Sequence, residues 1–361
     1  MAPIIKDQSQ VERQRLQMQC HSIDHLDIRR ISKRLKNLRF IPEIENSEIS
    51  IWYFDTLILR NFTGPLRRDT FGTIQLGELR IERSKRLAFI ESNAFAPNST
   101  LQRVQIAHSV LDTGSLSETF LSLNRLSHLR SLNIWNCNID FIPEFAFLQL
   151  QNSLKELILY GNTLQAIGSY AFNGLRNLEH LKIDGNQLIL IDKYAFGSNY
   201  MPTKHVLHIS LASNNISNRT LQFQSLSGAQ RPLHISLAEN GGCQFAENFR
   251  FLPETVFSSF LDVPWNRLYL EPECTLDCHL CDMQWLVEIP KAAQKRVKLR
   301  PESNYNKLSS ILNLTKKHQG FIPCISASDL MIDLKKFSNI NASNVVNFFD
   351  IQDNIDWRHC S

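Results

Sequence analysis

One short phrase returns along this sequence at an interval of about two dozen residues. Its clearest instance is residues 159–188, LYGNTLQAIGSYAFNGLRNLEHLKIDGNQL, where Leu159, Asn162 and Leu164 reappear 24 residues later as Ile183, Asn186 and Leu188. A period of this length is the signature of a repeat architecture, because each repeat is one structural unit that must stack on its neighbours to bury its apolar face. No other feature constrains the fold as strongly.

Written as LxxLxLxxN, the phrase can be placed nine times at intervals of 22 to 28 residues. The copies begin at Phe54, Leu76, Leu101, Leu129, Leu154, Leu178, Val206, Pro232 and Ser258. The fourth and sixth positions are apolar in every copy, ending with Leu261 and Val263 in the ninth. This alternation predicts that each copy begins with a short strand whose apolar side faces inward.

Two further positions recur in the cycle. The ninth position is Asn in the last five copies, and a buried Asn there can hydrogen-bond the backbone of the turn that follows each strand. The first four copies carry Phe62, Ser84, Ser109 and Cys137 instead, which predicts a weaker ladder at the N-terminal end and a packing role for Cys137. A Phe lies on the return side of each cycle, and we expect these rings to stack in a row: Phe71, Phe95, Phe120, Phe147, Phe172, Phe196, Phe223 and Phe249.

This pattern resembles that of the leucine-rich repeat family. The resemblance implies an α/β repeat solenoid, a horseshoe with a parallel concave sheet and a Cys-rich C-terminal cap. We therefore divide the chain into an N-terminal cap at 1–50, an array of about nine repeats at 51–270, and a Cys-containing C-terminal cap at 271–361.

Cysteines and sequons favour the secretory route. Six of the eight cysteines follow residue 240, at Cys243, Cys274, Cys278, Cys281, Cys324 and Cys360. N-glycosylation sequons occur at Asn61, Asn98, Asn215, Asn218, Asn313 and Asn341. Both features are typical of extracellular proteins, so we predict a secreted glycoprotein with disulfides.

The N-terminus departs from that expectation. Residues 1–17, MAPIIKDQSQVERQRLQ, lack the apolar segment of a signal peptide. Either the protein stays inside the cell or its leader is missing from the gene model, and we favour the missing leader. The sequence contains no run of 18 apolar residues, so we expect no membrane span.

The segment LEPECTLDCHLCDMQWLVE resembles the cysteine-flanked C-terminal cap of extracellular leucine-rich repeat proteins, in which a cysteine pair precedes a Trp-Leu dipeptide, here Trp285-Leu286. The family usually has one residue between its first two cysteines, whereas two intervene here, so the connectivity stays open. The preferred pairs are Cys278 with Cys324, Cys281 with Cys360, and Cys243 with Cys274. The alternative is a zinc site of Cys274, Cys278, Cys281 and Cys324, which the sequons and the Trp-Leu dipeptide disfavour.

The tail GFIPCISASDLMIDLKKF, residues 320–337, has a narrower likeness. It resembles the last cap segment of secreted arthropod leucine-rich repeat proteins related to the non-catalytic subunit of Oplophorus luciferase. That resemblance implies a non-enzymatic partner protein, because in that family the chemistry belongs to another chain.

Motifs of common catalytic or cofactor sites are missing from the sequence, which has no GxSxG, GxxxxGK[ST], HExxH or GxGxxG. We therefore expect no catalytic residue, no cofactor and no resident metal. The formal net charge of +4 is too small for this length to indicate nucleic-acid binding.

The exposed side of the predicted sheet is where we expect a partner to bind. Trp135 and Tyr160 fall at the seventh position of neighbouring copies, with Ile158 beside them, and exposed aromatic residues on a rigid sheet are typical of binding hot spots. Arg80 and Arg103 supply charge around them. Packing against glycans or loops is the alternative explanation of the aromatic pair.

Three histidines occupy the third position of consecutive copies: His180, His208 and His234. On strands about 4.8 Å apart they would form a ladder able to bind a metal or to titrate near about pH 6. A solvated polar stripe is the plainer alternative.

These features favour an extracellular, non-catalytic binding or scaffold protein that recognises a protein or glycan on the concave face. The alternative is a stabilising subunit of a secreted enzyme complex. A metal-dependent or hydrolytic enzyme using the histidines is the third possibility.

Overall fold

The computed structural model describes residues 4–6, 17–21, 52–68, 70–71, 74–96, 99–150, 152–197, 203–214, 216–237, 251–270, 281–299, 323–325 and 345–347. Its strands are β1 (Ile4–Lys6), β2 (Gln17–His21), β3 (Trp52–Arg60), β4 (Ile74–Glu82), β5 (Arg103–Ala107), β6 (Ser131–Trp135), β7 (Phe141–Ile142), β8 (Glu156–Ile158), β9 (Ala166–Ile167), β10 (His180–Lys182), β11 (Leu190–Ile191), β12 (Leu207–Ser210), β13 (Leu233–Ser236), β14 (Arg267–Leu270), β15 (Val297–Leu299), β16 (Pro323–Ile325) and β17 (Val345–Asn347). Its helices are α1 (Leu116–Asn124), α2 (Glu254–Asp262), α3 (Trp285–Glu288) and α4 (Lys291–Gln294), and single 3-10 turns lie at Thr113–Ser115, Leu148–Leu150 and Cys281–Met283.

The chain divides into two compact units, each of which is a parallel β-solenoid. The first unit comprises Met1–Asp140, Ala146–Thr163 and Gly174–Leu178. The second comprises Phe141–Phe145, Leu164–Asn173 and Glu179–Ser361.

In the first unit, strands β2, β3, β4, β5, β6 and β8 pair in parallel in chain order. Parallel neighbours are expected when the chain makes a full turn between strands. The register aligns the predicted fourth positions, which are at most 1% exposed: Leu57, Leu79, Val104, Leu132 and Leu157. This alignment confirms the predicted repeat for the first five copies. Strand β2, inside the range predicted to be the N-terminal cap, joins the same ladder, and β1 pairs with it antiparallel.

In the second unit, β10, β12, β13, β14 and β15 form the equivalent ladder. Its aligned inward positions are at most 2% exposed: Leu181, Ile209, Ile235, Leu268 and Val297. On the return side, β7, β9 and β11 form a second parallel sheet whose Ile142, Ile167 and Ile191 are fully buried. Apolar side chains are therefore buried beneath both sheets of this unit.

The ninth predicted copy is wrong. Residues 258–262, taken from the sequence as part of a strand, lie in helix α2, and the strand that follows β13 is β14, in which Leu268 aligns with Ile235. Spacings of three and four residues between apolar positions are those of a helix face, and here that face is buried by Phe257, Phe260 and Leu261. Strand β15, inside the range predicted to be the C-terminal cap, adds a further parallel strand.

Polar side chains at the ninth position join successive turns in the first unit. Asn162 Oδ1 accepts a hydrogen bond from the Cys137 amide at 2.8 Å. Ser84 Oγ and Ser109 Oγ accept from the amides of Phe62 and Ser84, each at 3.0 Å. The ladder thus extends through the serines to the N-terminal copies, where the sequence predicted a weaker one, because a hydroxyl can accept the same bond as an amide oxygen.

The second unit continues this arrangement with buried asparagines. Asn186 Oδ1 accepts from the Leu164 amide at 3.2 Å, and Asn214 Nδ2 donates to the Ile183 carbonyl at 2.9 Å. Asn266 accepts from the Leu233 amide at 2.9 Å, although it precedes its strand instead of following it. Asn240 lies outside the described residues.

In the first seven copies, the residue before the ninth position has a left-handed backbone. Its φ lies between 50° and 65° in seven consecutive repeats, at Asn61, Arg83, His108, Asn136, Gly161, Gly185 and Ser213. Glycine and asparagine tolerate this conformation, whereas other L-residues are strained in it. The turn at this position therefore has the same backbone conformation in these seven copies, whichever residue occupies it.

Contact between the predicted Phe rings is confirmed for three pairs of consecutive copies. Ring centroids lie 5.0 Å apart for Phe71 and Phe95, 5.3 Å for Phe120 and Phe147, and 5.5 Å for Phe172 and Phe196. The prediction is wrong at Phe223, which is 62% exposed, and the buried Leu226 occupies that position. The Tyr194 amide donates to the Gln224 carbonyl, which places Leu226 across from Phe196. Phe249 lies outside the described residues.

Candidate functional site

Three aromatic rings lie at the ends of neighbouring strands in the first unit, and we call His108, Trp135 and Tyr160 the aromatic patch. Trp135 is 37% exposed and Tyr160 is 47% exposed. The Trp135 carbonyl accepts the His108 amide, and the Tyr160 carbonyl accepts the Asn136 amide, both at 3.1 Å. These bonds join the backbones of the three consecutive turns that carry the patch. Ile158, half-buried on the same side of the sheet, aligns with Asn133 on β6.

Sequence reasoning missed His108. Its ring lies 5.7 Å from that of Trp135 and tilts 38° to it, and its Nδ1 is 3.4 Å from Asn136 Nδ2. His108 is the eighth residue of the repeat copy that begins at Leu101, immediately before Ser109. A side chain in the left-handed turn at this position points outward, and this could have indicated that His108 is exposed. The structure shows it exposed.

Arg80 and Arg103 lie on the same sheet, and both pair with one buried carboxylate. Glu78, which is 6% exposed, accepts from Arg80 Nε at 2.6 Å and from Arg103 Nη2 at 3.3 Å. The hydrogen bond from Glu78 raises the pKa of the Arg80 guanidinium above its ordinary value. A second pair, Arg60 with Glu82 at 2.8 Å, borders this group. The charges predicted around the aromatic patch are therefore internally paired, and Arg103 is the first residue of β5, at the strand end opposite to His108.

The three predicted histidines form a ladder on the second unit, and we call His180, His208 and His234 the histidine column. They align in register across β10, β12 and β13. Ring centroids lie 5.5 Å apart for the first two, which are stacked, and 5.0 Å apart for the last two, which meet edge to face. Tyr269 continues the row, with its ring 5.9 Å from His234.

Burial and the neighbouring His180 lower the pKa of His208 below its ordinary value. Two rings that would both carry positive charge disfavour each other's protonation. Among the residues that the structure describes, no group of three or more His, Cys, Asp or Glu could hold a metal ion. The column thus has the geometry of the predicted ladder without that of a metal centre in the described part of the chain.

A second aromatic row lies on the return side of the second unit and was not predicted. Phe145 stacks on Tyr170 at 5.6 Å and Tyr170 on Tyr194 at 5.3 Å, and all three have φ of 53° or 54°. Tyr194 Oη donates to Gln224 Oε1 at 2.5 Å. Aromatic residues are unusual in this conformation, so a sequence pattern alone does not indicate the row.

The cysteines divide into a buried thiol and the predicted cap. Cys137 is a free cysteine with no exposed surface, and burial raises its pKa to about 11. Cys281 is disulfide-bonded, and its partner's side chain lies outside the described residues. The proposed pairs of Cys243, Cys274, Cys278, Cys324 and Cys360 therefore stay predictions. Trp285, in the predicted cap motif, is buried and donates its indole N–H to the Leu252 carbonyl at 3.0 Å.

Two of the six sequons can be located with their asparagine side chains. Asn61 is exposed in the turn after β3, and Asn218 is half-buried in a turn on the return side of the second unit. Asn98, Asn215, Asn313 and Asn341 lie outside the described residues. Within the described part of the chain, no helix is long and apolar enough to cross a membrane.

Part of the repeat region matches a known protein family. The sequence profile of the family described as "Leucine rich repeat" matches residues 127–188. Among the solved structures that match is a chain of the Drosophila Toll–Spatzle complex, with 12% sequence identity and a TM-score of 0.24. The match covers 72% of this chain and 44% of that chain, so it spans less than half of the Toll–Spatzle chain's length. No curated protein matches this sequence significantly.

Proposed function

We propose that this leucine-rich repeat protein is a non-catalytic binding or scaffold protein that recognises a protein partner through the aromatic patch. The observation that carries the proposal is the exposure of Trp135 at the end of β6 and of Tyr160 just after the paired strand β8. Aromatic rings held rigidly lose little conformational freedom when a partner covers them, and they bury much apolar surface.

Charged residues on the same sheet support the same function. Arg80 and Arg103 pair with Glu78 and add polar surface to the sheet that carries the aromatic patch, and a protein interface usually combines an apolar centre with polar surroundings. A glycan on the same face is the alternative ligand, since sugars also stack on exposed aromatic rings.

The histidine column is proposed as a second contact region for a partner. His180 and His208 are exposed and His234 is half-buried. Their rings are fixed in spacing by the parallel ladder beneath them, so a partner would meet a pre-formed surface.

We further propose an extracellular location. The sequons, the exposed Asn61 and the disulfide of Cys281 support it. The likeness of residues 320–337 to the luciferase-associated proteins, of which the structure describes only 323–325, stays a prediction. It would make this chain a stabilising subunit of a secreted enzyme, and co-purification with an enzyme from native material tests that alternative.

The test of partner recognition is the double substitution Trp135→Ala and Tyr160→Ala. Partners captured from native extracellular fluid by the unaltered chain are identified by mass spectrometry, and their affinity is then measured by surface plasmon resonance. We expect the double variant to lose at least about tenfold in affinity, since each buried aromatic anchor contributes about 1 kcal/mol or more.

A matched control removes two exposed aromatic rings elsewhere. Phe223 and Trp265 are 62% and 54% exposed in the second unit, and their double alanine variant should bind like the unaltered chain. Both variants should keep the melting temperature of the parent. Equal affinity of all three proteins for every captured partner would rule out the aromatic patch as the binding site.

A further inference from the structure

A polar cleft in the first unit lies at the opposite ends of the strands from the aromatic patch. It has a volume of about 440 Å³, and we call it the basic cleft. Arg130 immediately precedes β6 and Lys155 immediately precedes β8. The Lys155 amide donates to the Arg130 carbonyl, and the Arg130 amide donates to the Gln102 carbonyl, both at 2.8 Å. These residues are thus stacked on consecutive turns, whose strands lie about 4.8 Å apart.

The lining of the basic cleft has basic side chains and, among its described residues, no carboxylate. Arg130, Lys155 and His128 are all exposed and line it together. Two cations on adjacent turns attract an anionic group that enters the cleft.

The rest of the lining consists of amides and hydroxyls. Gln102, Asn152 and Asn177 contribute side-chain amides, and Ser127 and Ser153 contribute hydroxyls. Asn177 Nδ2 donates to the Asn152 carbonyl at 2.9 Å, which ties the rim of one turn to the next. Groups of this kind both donate and accept hydrogen bonds, so they suit a ligand with several hydroxyl groups.

We propose that the basic cleft binds an acidic saccharide. Its carboxylate or sulfate group lies between Arg130 and Lys155, and its hydroxyl groups bond to the amides of Gln102, Asn152 and Asn177. A guanidinium can hold such an oxyanion with two parallel hydrogen bonds, which an ammonium cannot.

This site is separate from the aromatic patch. Arg130 and Trp135 lie at the two ends of β6, and five residues of extended strand span about 16 Å. A protein partner at the patch and a saccharide in the cleft therefore contact different residues. The two proposals can fail independently, because Trp135→Ala with Tyr160→Ala leaves the cleft intact.

The experiment is calorimetric titration of the full chain with glucuronic acid, glucose 6-sulfate, glucose and inorganic sulfate. We expect at least one acidic sugar to bind, and to bind at least tenfold more tightly than either glucose or inorganic sulfate. Arg130→Gln with Lys155→Gln should weaken that binding at least tenfold, and added salt should weaken it in the parent.

The matched control is Lys85→Gln with Arg86→Gln, which removes two exposed cations of the same unit outside the cleft. It should bind as the parent does, and thermal unfolding checks that both variants fold. The proposal is overturned if neither acidic sugar binds at millimolar concentration, if both variants bind equally, or if glucose or sulfate alone binds as tightly as the acidic sugar.

Discussion

At the scale of single residues, the turn after each strand makes the strictest demand on the sequence. Seven consecutive repeats place a residue with φ between 50° and 65° immediately before the ladder position. Gly161 and Gly185 meet this demand without strain, whereas Arg83, His108 and Ser213 hold a conformation that L-residues seldom adopt. The backbone geometry therefore dominates over the local preference of the residue.

Replacing Gly161 by Ala should destabilise the first unit by about 1–2 kcal/mol. Gly161 has φ of 63°, and an added Cβ would overlap Asn136 Oδ1. Chemical denaturation measures the loss. In an Asn136→Gly background the overlap is absent, so the remaining loss reports the backbone strain alone.

Gly114→Ala is the control for that substitution. Its φ is not in the left-handed region, and the nearest atom to an added Cβ is Asp112 Oδ2 at 3.6 Å. We expect a change within about 0.5 kcal/mol. A loss at Gly161 no larger than that at Gly114 would contradict the strain argument.

The burial of the inward-facing residues on the strands could be predicted from the sequence, whereas the contacts of the outward-facing residues were harder to predict. Leu157 and Leu181 had to be buried, because apolar alternation has one stable arrangement on a strand. The position of His108 beside Trp135 depends on a left-handed turn, and the type of residue in the turn does not predict that conformation. The basic cleft could not be predicted from the sequence either. Arg130 and Lys155 look like ordinary exposed cations there, and only the stacking of the turns in the structure brings them to one cleft.

At the scale of elements, helix α2 shows where the repeat pattern misleads. Its apolar residues satisfy a strand alternation at Leu261 and Val263 and a helix spacing at Phe257 and Leu261. Short apolar stretches do not distinguish the two periods. The structure has the helix here, with its apolar face buried, and the strand of this repeat is β14, further along the chain.

The histidine column predicts a pH dependence at the same scale. Because the pKa of folded His208 is below its ordinary value, the unfolded chain takes up a proton first as the pH falls. The unfolding free energy should therefore be highest above the ordinary histidine pKa and decline as the pH drops towards the lowered one. Denaturation at pH 7.5 and pH 5 measures this loss.

His208→Gln should make that loss smaller. His205→Gln, which removes an exposed imidazole outside the column, gives the background change expected from any histidine substitution. A pH dependence that is the same in His208→Gln as in the parent would show that the ring spacing does not affect protonation.

At the scale of the whole molecule, repeats contact mainly their neighbours, so stability is a sum of local terms along the chain. Cys137 can be used to measure the local stability of its turn in the first unit. Its thiol has no exposed surface and lies within hydrogen-bond distance of the carbonyls of Ile106 and Trp135. It can react with a reagent only when its turn opens.

We expect Cys137 to react with iodoacetamide at pH 8 at least about a hundredfold more slowly in the native chain than in denaturant. Its pKa of about 11 also predicts that the unfolding free energy decreases as the pH rises from 9 towards 11, since the unfolded thiol ionises first. Mass spectrometry of the peptide that contains Cys137 gives the rate, and Cys137→Ala should lose the alkaline decrease. Equal rates in the native and denatured chains would show that the turn is open.

The ladder bonds run in one direction along the chain. In three turns of the first unit, a backbone amide donates to a side-chain oxygen of the following repeat. The pairs are Phe62 with Ser84, Ser84 with Ser109, and Cys137 with Asn162. Shortening the array from its C-terminal end therefore leaves the last remaining turn with an amide that only water can pair, whereas shortening it from the N-terminal end leaves the remaining turns complete. During synthesis the newest turn stays incomplete until the next repeat has left the ribosome.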